Sequence, residues 1–171
     1  MMRHMRAVVL MLVLGSIGST MSTAAGGPNG KSFGFGIIIG EPLGLTGKYW
    51  LNNENALVFD VGASYFGSPR IQLDYLWHLD VFKSRVVKLY AGPGVGFGIG
   101  NESSGFLYKK GREYWYYRDD SFGLGVRCIV GLNIIPERTP LEIFVELGPN
   151  VGIVPGFGVA LDGAVGIRFY P

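Results

Sequence analysis

The sequence contains very little cysteine and histidine. It has one cysteine, Cys128, and two histidines, His4 and His78. A single thiol cannot form an internal disulfide, and no cluster of Cys and His residues has the spacing of a metal site. We therefore expect no disulfide framework, no bound metal and no cofactor.

Long apolar runs are also scarce. The one continuous run, Ala7–Leu14, follows two arginines and precedes small residues. It is too short to cross a bilayer, which takes about 20 residues. The small residues at Ser22–Ala25 suit a cleavage site, so residues 1–25 are predicted to be a secretory signal peptide. Residues 26–171 would then form one domain, exported through the general secretory pathway.

A net charge is missing once this segment is set aside. The whole chain has 15 basic and 13 acidic residues, and Arg3 and Arg6 belong to the leader. The remainder is balanced, 13 against 13. No net positive charge is left to attract nucleic acid, so we expect no nucleic-acid partner.

Glycine is abundant, with 28 residues, and it alternates with bulky apolar residues. Between Phe33 and Leu51 one face is bulky and the other carries glycines, a threonine and a lysine, with a corner at Glu41-Pro42. This period of two predicts a β-hairpin. A soluble sheet would gain nothing from glycines on its wet face, whereas a transmembrane barrel turns bulky residues to lipid and needs small ones inside.

The same alternation recurs in eight stretches, and in the sixth the bulky residues move to even positions. The fold class predicted is all-β, an eight-stranded antiparallel up-and-down transmembrane β-barrel in the bacterial outer membrane. Reversing the faces would put about ten charges into lipid, at roughly 2–4 kcal/mol each. The outward runs span Phe33–Ile39, Leu43–Leu51, Leu57–Tyr65, Ile71–Leu79, Val87–Ile99, Phe122–Ile134, Leu141–Leu147 and Phe157–Phe169.

Two local expectations accompany this pattern. Pro93 falls inside the fifth strand and cannot donate a ladder hydrogen bond, so a bulge is expected there. Gly67–Pro69 is expected to form the turn after the third strand. A water-soluble, lipocalin-like carrier is the competing fold, but it would place the bulky residues inside a barrel that ordinary side chains already fill.

Several stretches resemble known outer-membrane barrels. Gly40–Trp50 (GEPLGLTGKYW) and Asp74–His78 (DYLWH) are similar to stretches in a group of uncharacterised small outer-membrane β-barrel proteins. The mature chain resembles the small outer-membrane β-barrels of the kind that forms the transmembrane domain of outer membrane protein A. Its end, Ile167–Pro171, is similar to the C-terminal aromatic signal read by the barrel-assembly machinery. The resemblance implies an outer-membrane barrel, with that machinery as a partner during insertion, and carries over no catalytic residue.

Ten charged residues are predicted to face the lumen, five of each sign. Charges in a narrow barrel lose hydration and must pair. We expect them to close the lumen as a charge network; the alternative is a narrow pore in which they select small solutes. The predicted network comprises Lys48, Asp60, Arg70, Asp74, Lys88, Arg127, Glu142, Glu146, Asp162 and Arg168.

An enzyme is a further alternative. Ser64, Asp74 and His78 share the inward face, and an outer-leaflet lipid-modifying enzyme could use such a set. The topology puts His78 near the periplasmic rim, away from outer-leaflet lipid. We therefore predict no enzymatic activity and a structural role for His78.

The long connection from Asn101 to Asp120 is predicted to lie outside the cell. Its tyrosines and tryptophan suit either an aromatic girdle or a binding surface. We expect contact with outer-membrane lipid and lipopolysaccharide, or with an extracellular protein ligand. The candidate surface-binding residues are Lys109, Lys110, Arg112, Tyr114, Trp115, Tyr116, Tyr117 and Arg118.

Overall fold

The computed structural model describes residues 26–99, 107–110, 113–116, 122–154 and 157–171, with the backbone alone at 107–110 and 113–116. The predicted signal peptide lies outside the described residues. Within the described part of the chain, no helix is long and apolar enough to cross a membrane. After a 3₁₀ turn at Pro28–Gly30 come ten strands: β1 (Phe33–Gly40), β2 (Leu43–Trp50), β3 (Asn55–Ser64), β4 (Gly67–Leu79), β5 (Val87–Ile99), β6 (Leu107–Lys110), β7 (Glu113–Tyr116), β8 (Phe122–Ile134), β9 (Leu141–Val154) and β10 (Gly158–Phe169).

Eight of these strands close into a barrel. The order is β1-β10-β9-β8-β5-β4-β3-β2, and each neighbouring pair is antiparallel. The predicted all-β, eight-stranded, up-and-down antiparallel barrel is therefore confirmed. The connection between β5 and β8 differs from the prediction, because β6 and β7 form a separate two-stranded sheet there.

The two faces of each barrel strand differ as the alternation predicts. Along β8, side chains at odd positions are buried, and those at even positions are exposed except for the half-buried Leu132. Phe35, Ile37 and Ile39 of β1 are likewise exposed, whereas Ile38 is fully buried. Polar and charged side chains fill the interior and a belt of large apolar side chains covers the outside.

Prolines interrupt two ladders without shifting the register. Pro93 pairs with Cys128 in an unbroken ladder between β5 and β8. On its other side the ladder to β4 has a gap, but the register is the same before and after it. The predicted bulge at Pro93 is therefore wrong: a missing N–H costs a ladder bond and does not by itself require an extra residue. Pro149 accompanies a similar gap between β9 and β8.

The turn between β3 and β4 enters the barrel. The strands are joined by Tyr65 and Phe66, so β4 already begins at Gly67 and the predicted turn at Gly67–Pro69 is wrong. The register shifts between Gly62 and Ser64. Because of this shift, the regular alternation of faces along β3 stops before Tyr65, which the alternation predicts to point outward. Phe66 is buried instead, with its ring beside the glycines of β5 and β8.

The two ends of the barrel are distinguishable. The end that carries residue 26, the C terminus and the turns β2–β3, β4–β5 and β8–β9 is named the terminal end. The opposite end is named the mouth; the turns β1–β2 and β3–β4 and the β6–β7 hairpin connect strands there.

Candidate functional site

Nine of the ten charged residues predicted for the lumen lie buried inside the barrel. Their strands place them there because each occupies an inward position of a regular alternation. The buried residues are Lys48, Asp60, Arg70, Asp74, Arg127, Glu142, Glu146, Asp162 and Arg168. They divide into two clusters, one toward each end.

The terminal cluster comprises Lys48, His78, Glu142, Arg168 and Tyr170. Glu142 Oε1 lies 2.8 Å from Lys48 Nζ and 3.1 Å from Arg168 Nη1. The other carboxylate oxygen accepts a hydrogen bond from the Tyr170 hydroxyl. One buried carboxylate is thus held by two cations and a phenol, which supplies the pairing that its desolvation requires.

His78 connects this cluster to the terminal end. Its Nδ1 lies 3.1 Å from the carbonyl oxygen of Glu54, and its Nε2 lies 2.9 Å from Lys48 Nζ. A carbonyl can only accept, so Nδ1 carries the proton and Nε2 accepts from the lysine. Both ring nitrogens are therefore occupied by structural partners.

Aromatic rings surround the cations of the terminal cluster. Lys48 Nζ lies 4.2 Å from the Trp50 ring centroid, and the Arg168 guanidinium lies 3.8 Å from that of Phe144. Trp50 Nε1 donates to the Tyr170 hydroxyl at 3.0 Å. Burial, together with the neighbouring Glu142 carboxylate, raises the pKa of Tyr170 far above its ordinary value. The phenol is therefore held in its neutral, donating form.

The mouth cluster comprises Asp60, Arg70, Asp74, Arg127, Glu146 and Asp162, and Arg127 joins most of it. Arg127 Nη2 lies 2.8 Å from Glu146 Oε1, and Nη1 donates to Gln72 Oε1 at 3.0 Å. Its Nε lies 3.0 Å from Asp74 Oδ1, an ion pair without hydrogen-bond alignment. Gln72 in turn donates to Asp60 at 2.7 Å.

Arg70 ties the β3–β4 turn to the far wall. Its Nη2 lies 2.5 Å from Asp162 Oδ2, and Nη1 donates to Ser64 Oγ at 3.0 Å. The Tyr65 hydroxyl also donates to Asp162, across the mouth. Burial raises the pKa of Tyr65 well above its ordinary value, and the hydrogen bond to Asp162 adds to the effect. These contacts hold the turn over the barrel interior.

The clusters are not balanced in charge. The mouth cluster has the guanidiniums of Arg70 and Arg127 against four carboxylates. Lys88, which is needed for the predicted balance of five against five, is not in either cluster. It lies at the terminal end, with Nζ 3.5 Å from the Asn53 carbonyl oxygen and 5.7 Å from the Trp50 ring centroid.

Apolar side chains separate the two clusters. Along β4, Leu76 stands between His78 and Asp74, and along β9, Phe144 stands between Glu142 and Glu146. Both belong to one buried apolar group, which also contains Ile38, Val58, Tyr90, Ile129 and Ala164. The polar interior is thus interrupted by a packed apolar layer.

A cleft of about 370 Å³ opens at the terminal end. It lies between the β2–β3 and β4–β5 turns and reaches inward to His78. Behind His78, Lys48 is fully buried. Solvent therefore reaches the edge of the terminal cluster and stops there. The cleft is lined by Asn53, Glu54, His78, Asp80, Ser84, Arg85 and Lys88.

The chain matches no family model, no curated protein and no solved structure.

The residues considered for an enzyme are held apart. Ser64 accepts from the Phe66 amide and from Arg70 at the mouth, whereas His78 lies at the terminal end. Asp74 pairs with Arg127. Among the described residues, no group of three or more His, Cys, Asp or Glu side chains is placed to hold a metal ion. Cys128 is exposed on the outer face.

The candidate surface-binding residues fall on the least described part of the chain. Lys109 and Lys110 lie in β6 and residues 114–116 in β7, where Lys109 is opposite Tyr114 and Lys110 is opposite Glu113. Arg112, Tyr117 and Arg118 lie outside the described residues. The pairing places lysines and aromatic residues on one two-stranded hairpin.

Tyr65, Phe66 and Tyr170 are contributors to the interior that the sequence alone does not reveal. Each lies just beyond the end of a strand, and for Tyr65 the alternation along β3 predicts the outer face instead. A signal for Phe66 is present in the glycines of β5 and β8: Cβ atoms added at Gly123 and Gly125 would each lie 3.2 Å from its ring. Small residues gathered on two adjoining strands indicate a bulky group opposite.

Proposed function

We propose that the protein is an outer-membrane β-barrel with a structural or surface-binding role and a lumen closed by its charge clusters. The proposal rests on the observation that the barrel has charged side chains inside and an apolar outer surface. Leu45, Phe59, Val95, Val130 and Val145, from five different strands, each expose two-fifths or more of their surface. A continuous apolar belt of this extent is too large for a water-exposed surface and suits lipid.

The proposal includes a cleaved signal peptide at residues 1–25 and a periplasmic terminal end. Closure of the sheet supports insertion, since a closed barrel leaves few backbone groups unpaired in lipid. The decisive experiment is expression of the full chain in a Gram-negative host. We expect the mature N terminus near Gly26 by mass spectrometry, sedimentation with the outer membrane, and heat-modifiable mobility in detergent gels. A soluble periplasmic protein with unchanged mobility would refute the proposal.

Closure of the lumen has its own test. The proposed closure is supported by the ion pairs of the two clusters and by the apolar layer between them. Purified protein in planar bilayers should therefore show no steady ion conductance. A reproducible, ion-selective conductance would favour the narrow pore instead.

The β6–β7 hairpin is the proposed binding element at the cell surface. Two adjacent lysines near an anionic surface contribute about 1 kcal/mol each, screened by salt. Lys109→Ser with Lys110→Ser should weaken binding of the detergent-solubilised protein to lipopolysaccharide, and salt should weaken it in the parent. Lys83→Ser with Arg85→Ser, in the exposed β4–β5 turn at the opposite end of the barrel, removes the same charge and is the matched control. Equal binding by both variants would move the function elsewhere.

A further inference from the structure

At the mouth, β1 ends before β10 does, so the barrel wall is lower on the β1 side. The last register pair between them is Gly40 with Ala164, whereas β10 continues to Gly158, paired there with Gly152 of β9. One further bond, from the Glu41 amide to the Gly163 carbonyl at 3.0 Å, closes the seam. Beyond this bond, β10 pairs only with β9 among the strands that the structure describes.

On the side of this segment that faces away from β9, backbone groups have no partner among the described residues. Alternate residues of a strand direct their N–H and C=O groups to opposite neighbours. The bond from Glu41 shows that Gly163 faces the β1 side, so Leu161 and Val159 face it too. Among the residues that the structure describes, none pairs with the two N–H and two C=O groups of Leu161 and Val159.

The exposed fractions of the outward side chains along β10 agree with the missing neighbour strand. Nearer the terminal end, where β1 pairs with β10, Ile167 is 38% and Val165 is 50% exposed. Beyond the end of β1, Leu161 is 64% and Val159 57% exposed. An edge with free backbone groups and uncovered apolar side chains is a template for another strand.

We propose that the free edge of β10, Gly158–Asp162, docks an extended segment of a partner protein, which adds to the sheet as a short strand. The main-chain groups of Leu161 and Val159 would supply the hydrogen bonds, and their side chains would pack beside apolar residues of the partner. Only the position of this edge outside the cell rests on the proposed function.

The charge around the edge defines the partner further. Glu41 sits at the foot of the opening, where its carboxylate accepts from the Tyr65 amide at 3.3 Å. A partner strand that alternates apolar with basic residues therefore complements this edge in both shape and charge.

A labelled heptapeptide, Lys-Val-Lys-Val-Lys-Val-Lys, tests the proposal with the full mature chain in detergent micelles. Fluorescence anisotropy should show saturable binding. The same peptide with every backbone nitrogen methylated has no N–H to offer on either edge and should bind about tenfold or more weakly. A Glu-Val peptide of the same length should also bind more weakly. No binding of the first peptide, or equal binding of all three, would overturn the proposal.

Proline variants locate the site. Leu161→Pro deletes an N–H that points to the free side, so the barrel should fold and peptide binding should fall about tenfold. Ala160→Pro deletes a donor directed to β9 and should impair folding, which checks the assigned direction. Glu41→Lys is a second test: it should weaken binding of the Lys-Val peptide and strengthen binding of the Glu-Val peptide. Unchanged binding in both Leu161→Pro and Glu41→Lys would refute the edge as the site.

The β6–β7 hairpin is the rival occupant, since β6 comes within 8 Å of β10 while pairing only with β7. If the peptide binds only after removal of residues 107–116, the edge belongs to the hairpin and the proposal is wrong. The micelle assay does not depend on membrane location. A failure of outer-membrane fractionation would therefore refute the proposed function and leave this result standing.

Discussion

Arg127 is the residue on which the mouth cluster depends. Its guanidinium contacts Glu146, Asp74 and Gln72 within 3.0 Å. Arg127 is buried, so water cannot take the place of these contacts. Arg127→Ala would leave buried carboxylates unpaired and should lower the free energy of unfolding by about 3–5 kcal/mol. Urea titration of the protein in lipid vesicles, followed by tryptophan fluorescence, measures this.

Lys88→Ala provides the comparison for Arg127→Ala. Lys88 is half-buried at the terminal end and makes no ion pair with a described carboxylate. Its removal should change the unfolding free energy by less than about 1 kcal/mol. Losses of equal size in the two variants would show that the buried pairs are no stronger than surface ones.

Tyr170 predicts sensitivity to alkali. Burial raises its pKa above the ordinary value of about 10, which the unfolded chain retains. The neutral phenol therefore contributes stability that is complete below pH 10 and is lost as the pH rises above it. Tyr170→Phe should reduce the slope of stability against pH between about pH 10 and 11, read from tryptophan fluorescence during urea unfolding. An unchanged slope would contradict the neutral donor to Glu142.

Alternation along a strand reveals which way a side chain faces but not how deep it lies. Lys88 and Lys48 both occupy inward positions, yet Lys48 is fully buried and Lys88 reaches the rim. Depth depends on how the strands are staggered around the barrel, and that is set by pairing between distant parts of the chain. The sequence therefore predicts the buried charges and misses their imbalance.

At the scale of the strands, the glycines of β5 make a prediction of their own. A Cβ added at Gly98 would meet the backbone of Phe66, including its carbonyl carbon at 3.0 Å, whereas one added at Gly96 would find ordinary contacts at 3.9 Å. Gly98→Ala should therefore displace the β3–β4 turn and cost about 1–3 kcal/mol, and Gly96→Ala should be nearly neutral. Unfolding midpoints in urea compare the two; the reverse order would show that Phe66 does not occupy this recess.

The strands themselves were accessible from the sequence because each bulky face is long and regular. Even the change to even-numbered positions in β8 is visible in the pattern. The β3–β4 turn was not, because a register shift at Gly62–Ser64 separates Tyr65 and Phe66 from the alternation that precedes them. The bulge expected at Pro93 failed for a related reason: a proline predicts a lost hydrogen bond, and the structure absorbs that loss as a gap in one ladder.

For the whole molecule, the apolar belt makes the membrane testable through one pair of variants. Leu147 lies in the middle of β9, between Gly163 and Val130, and is 55% exposed; Val81 lies in the β4–β5 turn and is 59% exposed. In lipid, Leu147→Arg should cost about 2–4 kcal/mol and Val81→Arg less than about 1. Refolding into vesicles at increasing urea measures both. Equal costs would mean that the belt does not face lipid.

The low wall at β1 has a consequence for how the barrel forms and opens. β1 and β10 share six register pairs, whereas β10 and β9 share twelve. The β1–β10 seam also joins the two ends of the chain, so its closure bears the largest loop entropy and comes after the local hairpins. Backbone amides of β1 should accordingly exchange their hydrogens with solvent before those of β9. The β1–β10 seam should also be the first strand pair to separate when the barrel unfolds, because it has the fewer register pairs of the two.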